Sequence, residues 1–218
     1  MTGVQTCALP ISRARGEETH DHQEPHYWCV GACRSYGQAW PYALWFDLLQ
    51  FWLRSLQEEH HASASEVFYS FMERHWPQEQ NGLVAYLSHF LDLPMEEEKT
   101  HYLEQQEAQL YQSHFYEAIR EWVQTLTRIK PLVLVFSNLH WCDEPSLDLL
   151  KFCLPLSDSV PVMWLMTMRP VRNSPAWNFR HYLGTEYPHR LVWIEVKPMT
   201  ANEGNQLIDQ ILGSDSLD

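Results

Sequence analysis

The chain has 218 residues, of which 45% are hydrophobic, and this is enough apolar sequence to fold one substantial α/β domain rather than remain disordered. A formal net charge of −13 argues against nucleic acid or an anionic membrane surface as a direct binding partner. No run of about eighteen apolar residues predicts a membrane span, and the five cysteines have no disulfide-like spacing, which favours a cytoplasmic location.

The first twelve residues, MTGVQTCALPIS, resemble a translated sequencing adapter more than they resemble protein. A signal peptide is the alternative explanation, but the segment has no basic amino-terminal region and its apolar run is short. We therefore expect residues 1–12 to be an artefact and the native start of the protein to be missing. Residues 13–218 are then expected to form one partial domain.

The first predicted element is a strand over residues 27–33, which combine aromatic and small apolar side chains. Four segments with apolar residues at helical spacing follow it and predict helices. Ser63 and Glu66 form a capping-box pattern at the start of the second helix. The helices are predicted near residues 44–56, directly after Ser63, near 83–91 and over about 99–128, with their aromatic residues in the core.

Residues 131–150, with the sequence PLVLVFSNLHWCDEPSLDLL, carry the most informative pattern in the chain. Residues 131–136 form a short, Val-rich apolar run, as expected for a strand buried on both faces of a parallel sheet. The polar residues Ser137 and Asn138 end this run, and Asp143 then predicts the N-cap of a helix with proline in its first turn. A strand, a polar tip, a loop and a helix in this order predict ligand binding at the carboxyl end of a sheet.

Two more strands are predicted beyond this region. Residues 161–168 form a second buried apolar run that leads to Arg169, and residues 190–196 form a third apolar run. Thr200 and Glu203 then form another capping box, which predicts a final helix.

The Leu-His-Trp-x-Asp segment at residues 139–143 resembles the Walker B region of AAA/STAND-type signal-transduction ATPases. It is most similar to the modules attached to adenylate/guanylate cyclases and to large LuxR-type regulators, which also carry a motif similar to residues 35–42. The resemblance implies an α/β fold, with a P-loop NTPase-like parallel sheet flanked by helices and a helical insertion over about residues 44–129.

No G-x-x-x-x-G-K-S/T motif is present in the chain. In the similar ATPases this phosphate loop follows a strand that precedes the one equivalent to residues 27–33. The expected sheet therefore lacks the P-loop strand. That strand lies centrally in these proteins, between those equivalent to residues 161–168 and 190–196, so its absence would leave unpaired strand edges.

The resemblance also implies which residues form the nucleotide site. The similar ATPases carry an acidic pair where this chain has Ser137 and Asn138, whose neutral side chains are poorer Mg²⁺ ligands than carboxylates. Asn138 is the weak Mg²⁺ candidate, and His140 completes this degenerate Walker B region, the candidate catalytic region. Arg169 is expected to contact the γ-phosphate because guanidinium pairs well with phosphate. Asp143, which also fits a helix cap, is the other candidate for nucleotide binding.

These features predict part of an ATP-binding regulatory module with weak or no hydrolysis, inside a multidomain signalling protein. ATP and Mg²⁺ would be cofactors of the complete module, and we expect this part of it to bind neither. Its partners would be attached cyclase or transcription-regulator domains. The alternative is a protein-interaction scaffold that derives from an ATPase domain and works without nucleotide.

Overall fold

The computed structural model describes residues 26–35, 40–78, 81–172 and 174–212. The proposed artefact at residues 1–12 and residues 36–39 of the second motif lie outside these ranges. Within them the protein has an α/β fold, a parallel sheet flanked by helices, which is consistent with a P-loop NTPase-like architecture. The fold class predicted from the sequence is confirmed.

The three strands of this sheet are parallel and follow one another in sequence order. Tyr27 pairs with Leu132, and Leu132 pairs with Val162, so the three strands begin at nearly the same position along the strand direction. Their carboxyl ends therefore meet at one edge of the sheet. The strands are β1 (Tyr27–Ala32), β2 (Leu132–Ser137) and β3 (Val162–Met166).

Helices cover this sheet and fill the connection between its first two strands. Five of them lie between β1 and β2, in the region predicted as a helical insertion, and three follow β2. The helices are α1 (Ala43–His60), α2 (Ala64–His75), α3 (Asn81–Phe90), α4 (Glu97–Glu104), α5 (Ala108–Ile129), α6 (Glu144–Cys153), α7 (Pro175–Glu186) and α8 (Ala201–Leu212).

The predicted single helix over residues 99–128 is wrong, because the chain turns between α4 and α5. Glu107 has an extended backbone (φ −58°, ψ 135°) and Gln105 ends α4. A run of polar side chains at this point offers no apolar stripe to hold a continuous helix against the core. The break separates α4, in which Leu103 is the buried residue, from the strongly packed α5.

The core lies between the sheet and the long helices α1 and α5. The Phe136 ring of β2 packs edge-on against Trp45 of α1, with centroids 5.5 Å apart, and Trp52 of α1 packs against Trp122 of α5 at 5.6 Å. All four rings are buried. The predictions of a buried central strand and of aromatic core packing are therefore confirmed.

Capping motifs begin three of the helices as the sequence predicts. The Ser63 and Glu66 side chains form a reciprocal capping box at α2, and Thr200 and Glu203 do the same at α8. Asp143 caps α6 through its side chain, with proline in the first turn. Each of these side chains satisfies an amide that has no partner within the helix.

The predicted strand at residues 190–196 is wrong, because residues 191–200 form no regular secondary structure. Val192 and Ile194 are each 80% exposed. A strand needs a neighbour for its backbone hydrogen bonds, and among the described residues β3 pairs only with β2. Apolar composition alone does not form a strand at this position.

Within the described residues, no helix has both the length and the apolar character needed to cross a bilayer.

Candidate functional site

The carboxyl ends of β2 and β3 are joined by hydrogen bonds around Thr167, the residue that follows β3. The Thr167 amide donates to the carbonyl of Phe136 (2.9 Å), and its own carbonyl accepts from the amide of Leu139 (2.9 Å). Its hydroxyl accepts from the amide of Asn138 (3.2 Å). These three bonds hold the loop after β2 against the end of β3, and we refer to the residues at this position as the strand-end site.

Asn138 turns the chain out of β2 with a left-handed backbone (φ 60°). Asparagine adopts this conformation at lower cost than most residues, because its short polar side chain can bond locally. The turn leads directly into a short 3₁₀ helix at Leu139–Trp141. It places His140 over the end of the sheet, where the ring is 7% exposed.

Three polar atoms of the strand-end site are buried without a hydrogen-bond partner: the Ser137 hydroxyl oxygen, Nε2 of His140 and Nε of Arg169. Buried polar groups are almost always bonded in folded proteins, and each unsatisfied one costs about 1–3 kcal/mol. Ser137 ends β2, and the Arg169 amide bonds to the ring of His140, so the three atoms belong to residues at one end of the sheet, where a ligand would supply the missing partners.

The protonation of His140 follows from its contacts. Nδ1 of its ring accepts a hydrogen bond from the backbone amide of Arg169 at 3.4 Å, so the neutral ring carries its proton on Nε2. Burial, and then the nearby positive charge of Arg169, lower the pKa of His140 below its ordinary value. The site therefore presents a neutral imidazole N–H, a guanidinium N–H and a hydroxyl, all of which can donate.

The carboxylate nearest in sequence is already engaged. Asp143 accepts from the amides of Tyr42 (3.0 Å) and Ser146 (2.8 Å) through Oδ1, and from the Ser146 hydroxyl (2.7 Å) through Oδ2. Its role in the structure is to cap α6 and to tie this helix to the start of α1. Among the described residues no group of three His, Cys, Asp or Glu side chains has the spacing of a metal site.

The structure brings together four of the residues selected from the sequence and separates one from them. Ser137, Asn138, His140 and Arg169 all lie at the strand-end site, whereas Asp143 stands one turn further on as a helix cap. Sequence reasoning missed Thr167, which bonds to both sides of the Asn138 turn. The signal for it was a polar residue directly after an apolar strand.

The donors of the strand-end site suit an anion better than a cation. A phosphate group offers acceptor oxygens to the Ser137 hydroxyl, His140 Nε2 and Arg169 Nε, and its charge is opposite to that of the guanidinium. Mg²⁺ would find only the neutral oxygens of Ser137 and Asn138 in place of the carboxylates it prefers.

Comparison with known proteins gives one result that bears on this site. The family model described as AAA ATPase domain matches residues 13–165, which is more than half of the chain and includes β1, β2 and most of β3. Ser137, Asn138, His140 and Asp143 lie inside the matched range, and Arg169 lies just beyond it. No curated protein and no solved structure matches the chain.

Proposed function

The chain belongs to the AAA ATPase domain family, and we propose that it forms part of an ATP-binding regulatory module of the STAND type. The observation that carries this proposal is the strand-end site, where three buried donors have no partner. They lie at the carboxyl end of a parallel sheet, which is where α/β proteins bind their ligands.

The terminal phosphate of ATP is the ligand that fits these donors. Arg169 would bind a phosphate oxygen through its unpaired Nε, and the Nε2–H of His140 would donate to a second oxygen. Because the His140 ring is buried and close to Arg169, it remains a neutral donor at neutral pH. Thr167 would hold the loop in place without contacting the nucleotide.

The module is proposed to hydrolyse ATP slowly or not at all. Metal-assisted phosphoryl transfer needs carboxylates that hold Mg²⁺ and orient the attacking water. In this chain Asn138 offers an amide oxygen, and the Asp143 carboxylate already accepts two hydrogen bonds from Ser146 of α6 and one from the amide of Tyr42. Loss of a well-placed catalytic group commonly costs about 10²–10⁴ in rate. Such a protein works as a switch that responds to nucleotide occupancy rather than as a fast enzyme.

An ATP site of this family needs a further strand that leads into a Gly-rich loop. This strand is proposed to pair with the open edge of β3. Two features support this position. In the described part of the chain β3 has one neighbour, with Met163 57% exposed, and the apolar segment at residues 191–196 has no strand partner. A single strand placed between β3 and residues 191–196 would provide backbone hydrogen-bond partners for both segments. It would also bring a phosphate loop to the strand-end site.

The output of the module is proposed to be an attached cyclase or transcription-regulator domain. The support for this finer assignment is the similarity of residues 139–143 to the modules of those proteins. ATP occupancy would change the position of the α6 cap, which closely follows the short 3₁₀ helix that carries His140. Such a movement is a common way to pass a signal to a neighbouring domain.

The test uses the product of the complete gene, recovered by sequencing upstream of residue 13. We expect a strand and a G-x-x-x-x-G-K-S/T loop before β1, and Mg²⁺-dependent ATP binding by isothermal titration. Arg169→Ala should weaken ATP binding by about tenfold to a hundredfold, the usual loss for a charged hydrogen bond. Arg54→Ala, at an exposed position of α1, is the matched control and should bind as the unaltered protein does.

Asn138→Asp is the complementary variant, because it restores one carboxylate at the end of β2. We expect it to increase ATP hydrolysis while leaving ATP binding within a few-fold of that of the unaltered protein. An upstream sequence without a phosphate loop, or ATP affinity that Arg169→Ala leaves unchanged, would contradict the proposal. The nucleotide-independent interaction scaffold would then be the better description.

A further inference from the structure

The helical region between β1 and β2 contains two neighbouring cavities that share one lining residue. The larger has a volume of about 1210 Å³ and lies among α2, α3 and α4, with His114 of α5 at its inner wall. The smaller, of about 650 Å³, lies between α3 and α5 and reaches Tyr42. Leu103, the buried residue of α4, lines both cavities.

The walls are mainly apolar, with one polar cluster between the two cavities. The Tyr86 hydroxyl donates to Oε1 of Gln106 (3.0 Å) and lies 2.8 Å from Nδ1 of His114. The other amide atom of Gln106, Nε2, is buried and has no partner, and Gln106 lines the smaller cavity. A buried donor without a partner beside an apolar cavity is a specific place for a ligand acceptor.

Helix α4 covers this region with few contacts of its own. Its first turn carries Glu97 and Glu98, Tyr102 is exposed at the rim of the larger cavity, and Leu103 is its buried residue. The segment before it is held by a hydrogen bond from the Tyr69 hydroxyl to the Pro94 carbonyl (2.6 Å). A short helix anchored by one apolar side chain is easily displaced compared with the packed helices beneath it.

We propose that the two cavities form one binding cleft for a small, uncharged aromatic molecule that carries a hydrogen-bond acceptor. The larger volume accommodates an organic ligand of ordinary size, and the aromatic rings of Tyr86, Tyr111 and Phe115 offer edge and face contacts. The ligand acceptor binds Nε2 of Gln106. The charged residues of the lining favour an uncharged ligand, because Lys99 is already paired with Glu96 at 3.1 Å and Glu73 is exposed to solvent.

The cleft is connected through Tyr42 to the cap of α6, the helix that follows the strand-end site along the chain. Its hydroxyl accepts from Nε2 of Gln112 at 2.9 Å, and its backbone amide donates to Oδ1 of Asp143 at 3.0 Å. Tyr42 also has a left-handed backbone (φ 61°), which is unfavourable for a tyrosine and is therefore held by these contacts. A ligand that moves Tyr42 changes the cap of α6, so the cleft is an effector site; this part of the inference rests on the proposed function.

Binding is tested on the 218-residue chain with Nile red, an uncharged aromatic dye that has a carbonyl acceptor and fluoresces in apolar sites. Gly82 lines the larger cavity and a Cβ there would meet no atom within 4 Å, so Gly82→Leu adds bulk at the rim of this cavity without a clash. Gly184→Leu, at a glycine of α7 that is equally open, is the matched control. Far-UV circular dichroism confirms that both variants fold.

The unaltered chain and Gly184→Leu are expected to bind Nile red at one saturable site, and Gly82→Leu to bind about tenfold more weakly. Gln106→Met, which removes the amide donor and keeps the apolar stem, should also weaken binding. Unsaturable binding, or equal affinity in the two leucine variants, would overturn the inference.

The connection to the cap of α6 has its own measurement. On saturation with Nile red, amide hydrogen exchange in residues 138–150 should change by severalfold, since the Ser146 amide bonds to Asp143. Binding without this change would refute the effector role while leaving the cleft and the ATP proposal intact.

Discussion

The Asp143 carboxylate is the best point at which to test the link between α6 and the start of α1. It is 8% exposed and accepts three hydrogen bonds, from the amides of Tyr42 and Ser146 and from the Ser146 hydroxyl. Asp143→Ala removes all three acceptors from a place that water reaches poorly. Asp143→Asn keeps Oδ1 for the two amides and can reverse the bond to the hydroxyl.

The expected losses differ because the two variants leave different groups unpaired. Loss of an N-cap costs about 0.5–2 kcal/mol, and a buried amide left without an acceptor costs about 1–3 kcal/mol. Ser146 is completely buried, so its amide cannot turn to solvent in the alanine variant. We expect Asp143→Ala to lower the free energy of unfolding by about 3 kcal/mol and Asp143→Asn to lower it by about 1 kcal/mol.

Urea unfolding followed by tryptophan fluorescence measures both losses, since Trp45 donates through its indole nitrogen to the Ser146 carbonyl (3.0 Å) and reports on this region. The slope of the transition should be the same in all three proteins. Equal losses in the alanine and asparagine variants would show that the negative charge, rather than the acceptor oxygens, holds the cap. A loss below about 1 kcal/mol for alanine would refute the assignment of Asp143 as a structural cap.

Three further predictions concern other parts of the fold. Gly31→Ala should destabilise the protein by about 2 kcal/mol in urea unfolding, because the added Cβ would lie 2.8 Å from the Leu44 carbonyl oxygen; a neutral effect would contradict the close approach of α1 to β1. The lowered pKa of His140 means that the unfolded chain binds more protons as the pH falls through the ordinary pKa of histidine, so the free energy of unfolding should decrease as the pH falls below about 7. His140→Gln should make the free energy of unfolding less dependent on pH in this range. An unchanged pH dependence would refute the lowered pKa of His140. Ile194→Lys should change the free energy of unfolding by less than about 0.5 kcal/mol in urea unfolding, because this side chain is 80% exposed; a loss well above this would show that the side chain is packed.

The elements that the sequence predicted correctly are those whose structure is determined by residues close together in the sequence. The apolar run before Ser137 could only be buried, and it forms the central strand. Capping side chains such as Ser63 act on amides two or three residues away, so the pattern and the structure coincide. The break between α4 and α5 was missed because it depends on how Leu103 and the polar residues after it pack against other helices.

The candidate site was predicted as a set of residues but not as an arrangement. Sequence spacing placed Ser137, Asn138 and His140 in one loop, and the strand order of a parallel sheet brings Arg169 beside them. The bond between the Asn138 amide and Thr167 depends on pairing between strands about thirty residues apart, which no local pattern contains. The lack of partners for the three donors is likewise visible only once the side chains are placed.

Residues 131–136 and 190–196 have similar composition and different structures, and the difference lies in their neighbours. β2 is paired on both sides, by β1 and β3, whereas the described chain offers the second segment no strand to pair with, and Val192 and Ile194 remain 80% exposed. Burying two β-branched side chains would contribute about 1.5–3 kcal/mol each. A strand inserted between β3 and this segment would therefore stabilise the sheet by several kcal/mol before its own side chains are counted. In the module proposed above, the same inserted strand would also lie beside the loop that follows β3, so the stability of the sheet and the completion of the proposed phosphate site would have a common origin.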